Sequence, residues 1–83
     1  MKTWNFKVVK KSRGGQGEWF SHSAAATFVT FAEAKEYARK FALEQLAALG
    51  TSDSHRYCVV PRKSGGEACE FSSRWDRSVI EAQ

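Results

Sequence analysis

The chain has 83 residues and a formal net charge of +4, from 13 Lys and Arg set against nine Asp and Glu. A domain this small buries only roughly 60–65% of the surface its unfolded form exposes, which gives a thin core and argues against a deep catalytic cleft. A 42% hydrophobic content with a single proline argues equally against a disordered chain.

The positive balance favours acidic partners: nucleic acid, an anionic membrane or an acidic protein face. No segment approaches the roughly 18 apolar residues needed to cross a bilayer. Of these partners, a membrane is not expected. The opening "MKTWNFKVVKK" lacks the apolar run of a secretory signal. The expectation is one cytoplasmic domain spanning 1–83, with Cys58 and Cys69 as reduced thiols.

The stretch "TWNFKVVKK" alternates, with Trp4, Phe6 and Val8 pointing one way and Asn5, Lys7, Val9 and Lys11 the other. That pattern predicts a strand. Glycine-rich Ser12–Gly17 turns the chain into a second strand through "EWFSHSAAATFV". If Phe20 joins the face of Phe6 and Val8, then His22, Ala24, Ala26 and Phe28 follow by parity. Their small alanines suggest a helix lying close against that face.

"TFAE" matches a capping box, Thr30 with Glu33, and opens a helix over Phe31–Leu49 that Gly50 stops. Ala34, Ala38, Phe41, Ala42, Leu46 and Leu49 recur at helical spacing as its buried stripe. Glu36 is placed to pair with Lys40 on the wet side. After "GTSDSH" come the strand "RYCVVP", the turn "RKSGG" and the returning "EACEFSSRW". The tail "DRSVIEAQ" fits either a short strand or a helical turn. The whole reads as an α+β fold of order ββαββ, a small antiparallel sheet with one helix packed on one face.

Two register assumptions locate the second face of that sheet. In the first hairpin Lys7, Val9, Lys11 and Trp19 point away from the helix. A four-residue loop at Lys63–Gly66 puts Cys58, Val60, Cys69 and Phe71 on one face of the second hairpin, and Tyr57 and Val59 on the other. Trp19, Val9, Tyr57 and Val59 then form an aromatic and aliphatic patch rimmed by lysines. One residue of slip reverses the assignment.

Lys10, Lys11 and Arg13 sit at the tip "VVKKSRGGQGEW", with Lys7 below, and suit phosphate contacts. The plainer reading is a solubilised turn whose edge lysines oppose aggregation. Arg62 and Lys63 repeat the chemistry at the second turn. Trp19 and Tyr57 suit base stacking or a protein-binding anchor, unless Trp75, Val79 and Ile80 fold back and cover them. On the helix, Glu33, Glu36 and Glu44 dilute Lys35, Arg39 and Lys40, which reads as a solvated face.

Catalytic and metal signals are weak. "GGQG" lacks the lysine-hydroxyl pair of a phosphate-binding loop and joins strand to strand. Cys58 or Ser54 with His55 or His22 and Asp53 or Asp76 can be written as a triad, but nothing supplies an oxyanion hole. His55 precedes Cys58 by three residues, yet no Cys-x-x-Cys or His-x-x-x-His knuckle accompanies them. The expectation is no cofactor, no metal and no enzymatic activity, with both cysteines as small buried hydrophobes placed diagonally across the second hairpin.

The succession of a Gly-turned hairpin, a strand ending "TFVT" and the helix "FAEAKEYARKFALEQL" resembles small phage- and plasmid-encoded proteins, anti-CRISPR proteins among them, over roughly Lys7 to Leu49. The resemblance is one of pattern and transfers no functional residue. It implies a compact, non-enzymatic blocker that docks on a larger host complex. The basic charge departs from acidic mimics of nucleic acid, and favours an acidic protein face or contact with guide or target nucleic acid.

The leading expectation is therefore a small binding protein that inhibits a host nucleic-acid-handling complex by docking on it. Trp19 and Tyr57 are its anchors, and Lys7, Lys10, Lys11, Arg13, Arg62 and Lys63 steer it. The second is a module that binds nucleic acid directly with the same residues. A weak enzyme or metal site at His55, Cys58 and Cys69 comes third. An exposed edge strand also offers a route to dimers.

Overall fold

The alternating N-terminal segment forms β1 (Trp4–Lys11), the centre of the sheet. The computed structural model describes residues 3–11, 19–21, 26–53, 55–63 and 65–83, with residues 11 and 19–21 as backbone only. The turn Ser12–Gly17 with Arg13, and also His22, Ala24 and Ser54, lie outside the described residues.

The segment expected as one second strand enters as two, β2 (Trp19–Ser21) and β3 (Ala26–Phe28). Both pair antiparallel with the same edge of β1. β2 takes the end of β1, with Lys11↔Trp19 through Val9↔Ser21. β3 takes its start, with Phe6↔Ala26 through Trp4↔Phe28. The register differs by two residues between these pairings, an even offset that preserves parity. Ala26 and Phe28 thus keep the face of Phe6, as the alternation predicts.

The helix α1 (Phe31–Leu49) follows as expected. The Glu33 N–H donates to the Thr30 Oγ1 at 3.2 Å, which satisfies one of the free amides of the first turn. Gly50, at φ 72°, ends the helix and donates its N–H to the Leu46 carbonyl at 2.8 Å. Ala34, Ala38 and Ala42 recur every fourth residue with essentially no exposure. Having only a methyl each, they let α1 sit close on the sheet. Leu49 departs from the expected stripe: it is 68% exposed at the last residue of the helix. Glu36 pairs with Arg39, not with Lys40.

Under the helix lies a ring cluster built on Phe6, which is fully buried. Phe6 meets Phe41 at 5.0 Å and Tyr37 at 5.2 Å between centroids, and Phe41 meets Tyr57 at 5.3 Å. Val59, Phe71 and Ile80 complete the core. Each such side chain contributes about 1.5–3 kcal/mol by leaving water.

The second hairpin corrects the sequence reading. β4 (His55–Pro61) pairs along β1 from Trp4↔Pro61 to Lys10↔His55. β5 (Cys69–Ser72) pairs with β4 as Val59↔Cys69, Cys58↔Glu70, Tyr57↔Phe71 and Arg56↔Ser72. This is one residue out of step with a four-residue loop at Lys63–Gly66, so the hairpin's faces are reassigned. Tyr57 and Val59 turn to the helix, while Cys58 turns away. The connection is held back on the start of β1. Trp4 Nε1 donates to the Glu67 carbonyl at 3.0 Å, and Gly66 lies so near Pro61 that a Cβ there would come within 2.8 Å.

The tail is helical: α2 (Arg77–Glu81) follows Asp76, whose Oδ1 accepts from the Val79 N–H at 3.1 Å and the Ser78 hydroxyl at 2.8 Å. It packs on α1 and delivers Ile80 to the main core. Trp75 meets Phe71 edge-on at 6.1 Å. The tail therefore thickens the helical layer and does not cap the open sheet face.

Two outcomes follow from this packing. Replacing Ala38 by Leu barely alters helix propensity but forces side-chain volume between α1 and the sheet, and should cost about 1–3 kcal/mol in urea unfolding. The bonds from Val79 and Ser78 hold the Asp76 carboxyl below the ordinary carboxylate range. A lowered folded pKa means stability that is present at neutral pH and lost as pH falls through the depressed value. Asp76→Asn should thus show a smaller fall in melting temperature on acidification than the parent protein.

Candidate binding face of the sheet

Strand alternation sets one layer of side chains away from α1. On β1 these are Asn5, Lys7 and Val9; on β4, Arg56, Cys58 and Val60; on β5, Glu70 and Ser72. They form rows across the sheet, Lys7–Cys58–Glu70 and Val9–Arg56–Ser72. With strands about 4.8 Å apart, Lys7 and Glu70 stand roughly 10 Å from each other. Arg56 Nη1 reaches Glu70 Oε1 at 3.1 Å, and the two side chains are 42% and 48% exposed. A pair so wet contributes about 0.2–1 kcal/mol, and its chief effect is to hold the guanidinium over the sheet.

The aromatic patch expected on this face is not there. Tyr57 is 3% exposed, within the core between Phe41 and its strand partner Phe71. Burial raises its phenol pKa. Val59 is fully buried beside it. The run Tyr57-Cys58-Val59-Val60 is apolar at both parities, so nothing polar in it says which side is wet. The ring partners across the sheet decide: Phe6 and Phe71 demand Tyr57 and Val59.

The expected cations are only partly brought together. Lys7 stands half-buried on the open face. Lys11 and Trp19 oppose one another in the backbone register, in phase with Lys7 and Val9. Lys10 is exposed but takes the parity of the helix side, opposite His55. Arg62 and Lys63 are exposed beyond β4, where the Arg62 N–H donates to the Thr3 carbonyl at 2.9 Å. They lie at the start of β1 and Lys10 near its end, roughly 20 Å away along the strand. The two basic clusters therefore flank the sheet and do not form one patch.

Arg56 and Arg74 belong to the face and were missed in the sequence. Arg56 is next to Tyr57, so any register that exposes Tyr57 hides Arg56. Arg74 follows β5 and lies in no strand, so alternation gives it no side. With both included, this face carries Lys7, Arg56 and Arg74; among the described residues its strands carry one carboxylate, Glu70, and Asp53 lines a neighbouring hollow with Arg74.

The two cysteines are free and lie on opposite faces. Cys69, opposite Val59, packs against the core, whereas Cys58 stands between Lys7 and Glu70. The shared face proposed for them is corrected by the same one-residue shift. Their separation by the sheet also dismantles the site imagined at His55, Cys58 and Cys69. Among the described residues, no three His, Cys, Asp or Glu side chains gather as metal ligands. Burial, aided by the Glu70 charge, pushes the Cys58 thiol up to about 11; burial raises Cys69 as well.

No protein family, curated protein or solved structure matches the chain. Among the described residues, no helix is long and apolar enough to cross a membrane.

The thiol shift has a direct readout. Moving Cys58 from 9.0 to about 11 lowers its thiolate fraction at mildly alkaline pH by about a hundredfold. Alkylation of the folded Cys69→Ser protein should be correspondingly slow and should rise steeply toward the elevated pKa. A rate matching that of the denatured chain would show the thiol to be free of this environment.

Proposed function

We propose that this chain is a small non-enzymatic binding protein whose open sheet face lies on nucleic acid, contacting the phosphate backbone. One observation carries the reading: among the described residues, the strands of the open face set Lys7 and Arg56 against Glu70, and Arg74 adds a third cation at their edge with Asp53 nearby. On α1, by contrast, Lys35, Arg39 and Lys40 are matched by Glu33, Glu36 and Glu44. Charge is thus sorted by layer, positive on the sheet and balanced on the helix. Arg62–Lys63 at the start of β1 and Lys10 near its end carry positive charge along the length of the strand, which suits an extended polyanion better than a single ion. A binding mode of this kind positions the partner without reading its sequence.

A second reading keeps the role suggested by the resemblance to anti-CRISPR proteins, a blocker that docks on a host nucleic-acid-handling complex. It loses Tyr57 as an anchor, because that ring belongs to the core. It is supported by the same charge imbalance, since a face bearing Lys7, Arg56 and Arg74 also suits an acidic protein surface.

Binding of a fluorescent single-stranded oligonucleotide, followed over a range of salt, separates the two. Three phosphate contacts predict a fall in log K against log salt with a slope of about −2, and Lys7→Glu should weaken binding and flatten that slope by about one phosphate's share. Absent or salt-insensitive binding would sink the first reading. Recovery of a stoichiometric protein complex that survives nuclease would then favour the second.

A further inference from the structure

Beyond β5 the open face ends in a depression of about 420 Å³, lined by Arg56, Glu70, Ser72, Arg74 and Trp75. Sites for small ligands run from about 300 to 1,000 Å³, so this one has room for a single nucleotide unit and little more. Its lining is unusual for this sheet, because it brings two arginines together with a tryptophan. Trp75 is half-buried, packed on the core and edge-on to Phe71 at 6.1 Å. Its backbone is tied as well, the Trp75 N–H donating to the Ser72 carbonyl at 3.2 Å. The indole is therefore a fixed platform, which loses little conformational freedom when something stacks on it.

Arg74 is exposed, and the Arg74 backbone N–H donates to the Ser72 Oγ at 3.2 Å. Among the described residues no carboxylate is in ion-pairing contact with its guanidinium. Arg56, on the other side, is engaged by Glu70. That pairing offsets the carboxylate's charge and leaves an acceptor for the amino groups of a base. The depression thus offers a cation for phosphate, an aromatic platform for a base and a hydrogen-bond acceptor for the base edge.

We propose that this depression is a nucleotide subsite, in which a nucleobase stacks on Trp75 while Arg74 holds the attached phosphate. The inference rests on the reading of the open face as a nucleic-acid surface, and adds to it the place where a base, and not only the backbone, is engaged. Lys7 stands about two strand spacings away, so a strand held at the depression continues across the sheet toward β1.

The test uses the full chain labelled with ¹⁵N, the Trp75 indole resonance being assigned by its loss in Trp75→Phe. Two probes are titrated separately, a short single-stranded oligodeoxyadenylate and adenosine 5′-monophosphate. The subsite predicts that both shift the Trp75 indole resonance. It also predicts that Arg74→Ala weakens oligonucleotide binding by about tenfold, more than Arg77→Ala, which removes the same charge from α2. Trp75→Phe keeps an aromatic ring in the core and should weaken binding by less. Salt-dependent binding that leaves the Trp75 resonance unmoved, with Arg74→Ala no worse than Arg77→Ala, would overturn the subsite while leaving the sheet-face reading intact. A Trp75 response to the monophosphate without oligonucleotide binding would support the subsite and overturn that wider reading. Silence toward both probes would overturn the two together.

Discussion

Pairing of β1 with β4 is the constraint on which the rest of the structure depends. From Trp4↔Pro61 to Lys10↔His55 it places Phe6 beside Val59 and Val8 beside Tyr57, all beneath one helix. Because side chains in a strand alternate with period two, this single register decides the face of every residue in β4, and through β4 of every residue in β5. Moving it by one position would put Arg56 and Cys58 under α1 and carry Tyr57 into water. The cost would be a buried guanidinium and a lost aromatic cluster.

The helix enforces that choice by lying close. Ala34, Ala38 and Ala42 bring the middle of α1 close to the sheet, so Phe6, Tyr57, Val59 and Phe71 rise from below to meet Phe41 and Leu46 beside that alanine stripe. In a domain of this length such rings are too few to be spared for a partner. Tyr57 illustrates the competition: a residue type that often anchors interfaces is here consumed by folding. What the open face retains is Val9, Cys58 and Val60 among Lys7, Arg56 and Glu70, so its directional chemistry is electrostatic.

The distribution of charge reflects the same division into layers. Acidic and basic residues alternate along α1, where Glu36 and Arg39 meet within one turn. On the sheet the only described ion pair is Arg56 with Glu70, both well exposed. It stabilises little. It does fix the direction of a guanidinium beside the Trp75 edge of the domain. The tail contributes to that edge from the other side, since α2 carries Ile80 into the core and so holds Trp75 in place.

Much of the architecture could be read directly from the residues. The alternation of Trp4, Phe6 and Val8, the Thr30 cap, the alanine stripe and Gly50 each act through neighbours a few positions away. Local sterics and hydrogen bonds are enough to specify them. The α+β class with one helix on one side of an antiparallel sheet follows from those signals. The division of the second strand into β2 and β3 was less legible, since nothing in its pattern marks an even offset of register. The tail's helix was open for want of length.

The candidate face was a different matter. Its composition turns on the parity of "RYCVVP", where Tyr57, Cys58, Val59 and Val60 are apolar on both sides and the local pattern is silent. Only contacts with Phe6 on β1 and Phe71 on β5, dozens of residues earlier and more than ten later, break the tie. The sequence by itself determined the elements and the positive charge. Tertiary structure alone decided which cations share a surface and which aromatics leave it, because register is set by long-range burial and not by the strand that carries it.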